Sequence, residues 1–296
     1  MKKIPVGQTI AEAYRFTFAS LDRVIGVIWL PIIILTIGDY FVAGPYLTGM
    51  ANAMESGDAA QLLPLIAGQI TYGFVQLVLI VIIGVAITRE ILAPLQRPLF
   101  LRFSLGATEL RVVAGIVGLY AMFFLVGFIC MVLGMVLSGS VSLPAMAAGQ
   151  RAIGVAALIA LLLSPFLIYT FVRLAYFIVP SVVLQGKFGL EHSWQLAKGN
   201  VGRIILIALA VGIPLLIVAV LLQAVVMGPE AFNSQVDLFG DKAAQARQSA
   251  EHLRLMAAHL PLLKGLEFVL APFMYGLAFA APAFAYKTLA APQTKQ

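Results

Sequence analysis

Six apolar runs of about 20 residues or more recur along the chain, set off by short segments where the charges gather. They cover Val24 to Val42, Ala67 to Ile87, Val112 to Leu137, Ile153 to Val172 with an extension toward Leu184, Ile204 to Met227, and Leu262 to Tyr286. A helix rises about 1.5 Å per residue, so each run is long enough to cross roughly 30 Å of hydrocarbon. Lipid leaves backbone polar groups nothing to bond with, so a spanning segment must pair them internally. The runs lack the alternation of a barrel strand and therefore predict helices. The fold class expected is all-α, a polytopic membrane bundle of about six transmembrane helices.

Three amphipathic segments precede odd-numbered spans: Gly7 to Leu21, Phe100 to Leu110 and Gly189 to Asn200. In the first, Ile10, Tyr14, Thr17 or Phe18 and Leu21 recur at helical spacing with Glu12, Arg15 and Asp22 between them, the pattern of a helix lying in the headgroup plane. The third carries Leu190, Trp194 and Ala197 on one face, and tryptophan suits that depth. Arg23, Arg111 and Arg203 each stand directly before a span, so the chain reads as three tandem hairpins, unless flank arginines alone produce the likeness. Pro31 and Pro214 strengthen the match between the first and third. The organisation expected is one membrane domain over 1–296: an interfacial helix at 1–23, hairpins at 24–100, 101–185 and 186–296, and an outer loop at 228–259. A helix capped by Asp241 and running to Leu260 is expected in that loop, packed on the bundle surface or serving as a lid.

Composition agrees with the pattern: 61 % of residues are hydrophobic and 11 % charged, against about 25 % charged in soluble domains. The net charge of +6 comes from lysines and arginines at span ends, not from a soluble basic face, so no nucleic-acid partner is expected. Under six spans, Lys2, Lys3, Arg15, Arg23, Arg89, Arg97, Arg102, Arg111, Lys187, Lys198, Arg203, Lys287 and Lys295 fall on one side, and chiefly Arg151, Lys242, Arg247 and Arg254 on the other. The positive-inside rule then puts both termini in the cytoplasm. Met1 to Pro5 is basic but leads into an amphipathic stretch, so an uncleaved anchor is expected. Cys130 is the single cysteine, which excludes an intrachain disulfide or a paired-cysteine metal motif.

Few residues carry candidate chemistry. Arg173 interrupts an apolar run, and charges inside a membrane are expensive enough to mark a cavity or a partner. The simpler reading ends the span near Val172 and lets Arg173 snorkel to the cytoplasmic interface beside Tyr176 and Pro180. Arg89, at the inner end of the second span, is a candidate to join Arg173 in contacting anionic lipid headgroups or substrate. Gln69, Tyr72 and Gln76 form a polar stripe along the second span, suited to bonding a neighbouring helix or, less often, to lining a path. Asp39 is expected to be an exposed carboxylate near the outer interface, because a relay would need Glu267 of the sixth span as a partner at the same depth. No catalytic motif is present: His192, His252 and His259 form neither an HExxH pair nor a Cys/His cluster, and GxSxG, Walker and GxGxxG patterns are absent. No cofactor, metal or catalytic residue is expected, and the chain is read as a non-enzyme. Small residues four apart, namely Ala114 with Gly118, Ala208 with Gly212, Gly276 with Ala280 and Ala281 with Ala285, allow close helix approach.

The string Leu190, Glu191, His192, Ser193, Trp194, Gln195, Leu196, Ala197, Lys198, Gly199, Asn200, followed by Arg203 and an apolar span, resembles the YciC-like six-helix bacterial membrane proteins. It is similar also to the membrane domain attached to some glycerophosphodiester phosphodiesterases. The resemblance covers about Arg173 to Arg203. It implies an integral module of the bacterial inner membrane concerned with lipids or the cell envelope. No phosphodiesterase domain stands in these residues, so hydrolysis is not carried over. Within the motif, Gly199 or Asn200 is suited to end the interfacial helix at positive φ. The function expected is that of an inner-membrane protein that binds or organises lipids or scaffolds an envelope complex. The alternative is a permease or transporter subunit for a small or lipid-like solute. Membrane lipids, and a membrane-protein partner or a second copy, are the partners expected.

Overall fold

The computed structural model of the chain describes residues 2–94, 105–137, 145–186, 189–228 and 242–290. Among the described residues it is helical, without a strand: α1 (Val6–Ala19), α2 (Leu21–Ser56), α3 (Leu62–Leu92), α4 (Ala107–Leu137), α5 (Ala145–Ala175), α6 (Ile178–Gln185), α7 (Leu190–Ala197), α8 (Val201–Met227), α9 (Lys242–Ala258) and α10 (Leu260–Ala290). Six stretches among the described residues are long and apolar enough to cross a membrane, namely α2, α3, α4, Gly154–Gln185, α8 and α10. Phe124, Leu162 and Val225 stand 77, 73 and 80 % exposed on three of them. Apolar side chains so placed along whole helices require acyl chains as solvent, because backbone and side chains together offer water almost nothing. The protein is a multi-pass integral membrane protein, a helical bundle of six spans.

The spans run longer than the apolar stretches alone. The first reaches Ser56, beyond the end expected at Val42, and its 36 residues extend about 54 Å, well past the hydrocarbon thickness. Gly44 and Pro45 do not stop it, and the distal turns have a partner: Arg254 of α9 donates to both carboxylate oxygens of Glu55 at 2.6 and 2.7 Å and to Asn52 at 3.1 Å. The helix expected in the outer loop thus lies along the end of α2, while most of the loop before it, including Asp241, falls outside the described residues. Of the second interfacial segment, residues 100–104 fall outside them, and Ala107 to Leu110 form the first turn of α4 rather than a helix of their own.

The fold comprises two compact units. The first takes Met1–Val6, Gly106–Leu206 and Ala285–Gln296. Here α4 lies along α5, and α7 packs against α5 and α6. The turn after α7 places Gly199 at φ 74°, a left-handed conformation that costs glycine least. Asn200 makes a different contribution: its side chain accepts from the Ile4 amide at 3.0 Å and donates to the Lys2 carbonyl at 3.1 Å. Arg203 donates to the Ile4 carbonyl at 2.7 Å, so the Lys198–Gly199–Asn200 motif fastens the start of the chain.

The second unit takes Gly7–Leu105 and Ile207–Phe284, and so joins the first hairpin to most of the fifth and sixth spans. Its α1 buries Thr9, Ala13 and Thr17, of which the stripe read from the sequence holds Thr17 alone. The small face wins because it allows close approach. A Cβ at Gly276 of α10 would lie 2.7 Å from the Thr17 methyl. Phe16 and Phe18 flank that contact, with ring centroids 6.1 Å from Phe284 and 5.4 Å from Phe273. Of the small-residue pairs, those of the last span are buried at Ala280, Ala281 and Ala285, whereas Gly118 and Gly212 face open space.

Candidate functional site

Along α2 the buried positions Val24, Ile28, Ile32 and Asp39 fall on one face of the helix. Asp39 therefore points inward and is 8 % exposed, which corrects its reading as an exposed carboxylate at the outer interface. Depth was the wrong criterion; the helical face decides. Its Oδ1 accepts from the Tyr72 hydroxyl at 2.7 Å and from the Gln76 amide at 2.5 Å. The same hydroxyl lies 3.2 Å from the Leu35 carbonyl, but a phenol has one proton, and the shorter, charge-assisted bond takes it. A Cβ at Gly38 would come within 2.7 Å of the Tyr72 oxygen, so a glycine beside Asp39 is what admits the tyrosine. Gln69, the third member of the polar stripe, is half-buried and outside this cluster.

Asp39 Oδ2 pairs with Lys264 at 3.2 Å, and the same ammonium binds Glu267 at 2.6 Å. Asp39 and Glu267, which a relay would require at one depth, are thus joined through a lysine that the sequence reading passed over. The signal was available: Lys264 and Glu267, three residues apart, are both ionisable groups inside the apolar run from Leu262. Side-chain exposure falls from 58 % at Glu267 to 16 % at Lys264 and 11 % at Asp39, so the chain of charges leads inward.

Beside it opens a cavity of about 340 Å³ between α2, α8, α9 and α10. Leucines, alanines and two methionines form most of its wall, and Thr36, Asp39, Glu267, Gln223 and Tyr275 supply the polar groups. This is the composition of a ligand site, an apolar hollow with a few convergent polar groups.

In the first unit, Arg173 does not snorkel. It is 7 % exposed, and its guanidinium carbon lies 3.6 Å from the centre of the Trp194 ring and 5.4 Å from that of Tyr169. It donates to the Trp194 carbonyl at 2.8 Å and the Tyr169 hydroxyl at 3.1 Å. Helix α7 holds it there. Ser193 of α7 also inserts its hydroxyl into the preceding span, donating to the Arg173 carbonyl at 2.8 Å and accepting from the Phe177 amide at 3.2 Å. Those two groups are four residues apart and would otherwise bond each other, so the hydroxyl accounts for the break between α5 and α6. Arg89 stands half-buried in the last turn of α3, in the second unit, where Tyr72, Gln76 and Asp39 also belong. Among the described residues no group of three or more His, Cys, Asp or Glu side chains is placed to hold a metal ion. No family model, curated protein or solved structure matches the chain.

Proposed function

We propose that this membrane protein binds a lipid-like molecule in the cavity of its second unit, as a binding or organising component rather than an enzyme. The observation that carries the reading is the pairing of an apolar wall with one polar end, where the Asp39, Lys264 and Glu267 charges meet. Such a hollow suits an amphiphile. Its volume of about 340 Å³ lies at the lower end of the roughly 300–1,000 Å³ of small-molecule sites, enough for a small amphiphile or for one headgroup with the start of a chain. The resemblance of the 190–203 segment to YciC-like proteins supports a place in the bacterial inner membrane. The distribution of lysine and arginine supports cytoplasmic termini. Arg89 remains a candidate contact for lipid headgroups from the cytoplasmic side, whereas the burial of Arg173 against Trp194 takes it out of that role.

The test is native mass spectrometry of the protein released from maltoside micelles. The wild type should retain an amphiphile. Ala271→Trp, which fills the cavity from its wall, should lose it while keeping its helical circular dichroism. Equal retention by the folded variant would overturn the reading.

A permease for a small or lipid-like solute is the second reading, favoured by charged groups placed within spans, a common mark of a solute path. Reconstituted vesicles that release no amphiphilic or small solute faster than empty ones would count against it.

A further inference from the structure

We propose that the polar end of this cavity receives a cation, the ammonium group of an amine-bearing amphiphile. The inference deepens the lipid-binding reading and rests on it. Its ground is charge. Among the described residues, the acidic groups in the cavity wall are Asp39 and Glu267, and no lysine or arginine lines it. Lys264 stands beside them and is shared by both, at 3.2 and 2.6 Å. Two negative charges with one positive leave the cluster one cation short.

The hydrogen bonds say where that cation goes. Both oxygens of Asp39 are engaged, Oδ1 by Tyr72 and Gln76 and Oδ2 by Lys264. Glu267, which lines the cavity, gives Oε2 to Lys264, and its second oxygen is left as an acceptor. Gln223 donates to the Met227 sulfur at 3.7 Å, which leaves its carbonyl oxygen as a further acceptor in the wall. Tyr275 adds an aromatic ring, a favourable neighbour for ammonium and quaternary ammonium groups. An anion entering the same space would face two carboxylates. Arg254 of neighbouring α9 is held by Glu55.

The amine has two chemical sources, a zwitterionic aminophospholipid or a free hydrophobic amine, and the experiment separates them. Protein in maltoside is titrated with dodecyltrimethylammonium, dodecyl sulfate and dodecanol, and in parallel with short-chain phosphatidylethanolamine and phosphatidylglycerol, with binding followed by native mass spectrometry. The cationic chain, the ethanolamine lipid or both should be retained in preference to their anionic and neutral counterparts. Retention of the lipid points to a headgroup site, and retention of the alkylammonium alone to a free amine. Glu267→Gln should weaken cation binding about tenfold or more, the scale of one charge-assisted bond, while dodecanol binding stays as it was. Equal or better retention of the anionic or neutral chain, or an unchanged Glu267→Gln, would overturn the charge assignment and leave the cavity reading standing. Loss of every probe, together with an Ala271→Trp variant identical to wild type, would overturn the cavity reading itself.

Discussion

The Tyr14 hydroxyl donates to the Ala210 carbonyl at 3.1 Å, and Ala210 stands four residues before Pro214. Proline has no amide hydrogen, so in α8 that carbonyl loses its intrahelical partner. Lipid offers no replacement, and a side chain from α1 supplies it instead. Ser164 does the same locally, donating at 2.7 Å to the Leu161 carbonyl that Pro165 leaves open. Tyr14→Phe keeps the ring beside Phe18 and removes only the donor. It should cost about 0.6–1.7 kcal/mol, the range for hydrogen bonds between membrane helices. On a Pro214→Ala background, where Ala210 regains a backbone donor, the cost should vanish. Unfolding of the four proteins in maltoside gives the coupling, and equal costs on both backgrounds would refute the link.

Lys264 binds the buried Asp39, and removing one partner of such a pair strands the other. Lys264→Met should destabilise the protein by about 3–5 kcal/mol. Asp39→Asn combined with Lys264→Met should recover most of that, because the amide still accepts from Tyr72 and carries no charge. Thermal unfolding of the single and double variants checks the order. A double variant as unstable as the single would show that the lysine acts by packing alone.

All six spans were legible because twenty apolar residues in a row leave little choice in lipid. The site was legible only in pieces. Tyr72 and Gln76 stood out as polar groups in an apolar helix, and they do converge. Their target was misjudged, because Asp39 was placed by its depth along one helix and not by the face it shares with Ile28 and Ile32. Lys264 went unremarked, since a lysine near a span end reads as a flank. Of the buried stripe of α1 only Thr17 was legible, because hydrophobicity ranks Ile10 and Tyr14 above Thr9 and Ala13, whereas helix contact in a membrane rewards small size. That Asn200 grips Lys2 and Ile4 joins positions nearly two hundred residues apart, a pairing that no local pattern encodes.

Arg173 provides a test of burial against snorkelling. A snorkelling arginine is replaced by lysine at little cost, since both carry a charge to the interface. The planar guanidinium over Trp194 is different: lysine can neither stack on the ring nor reach the Trp194 carbonyl and the Tyr169 hydroxyl together. Arg173→Lys should therefore cost about 1–2 kcal/mol, with a matching loss in Trp194→Leu and no further loss when the two are combined. Additive losses in the double variant would mean that the stack contributes nothing.

His192 gives the first unit a dependence on pH. Burial lowers its pKa below the ordinary 6.5, and the neutral Nε2 sits 2.8 Å from the Gln185 side-chain amide and 3.4 Å from the Tyr286 hydroxyl. A histidine whose folded pKa is depressed binds fewer protons folded than unfolded between those two values. Stability is then complete above about 6.5 and falls as the pH drops through that value toward the lowered folded pKa, where the loss levels off. Protonation also turns Nε2 from an acceptor into a donor facing an amide donor, which reinforces the direction. The wild type should unfold more readily at pH 5.5 than at pH 7.5. His192→Gln, which cannot be protonated, should lose this part of the difference, whereas an unchanged acid-side loss in that variant would assign the effect to other groups.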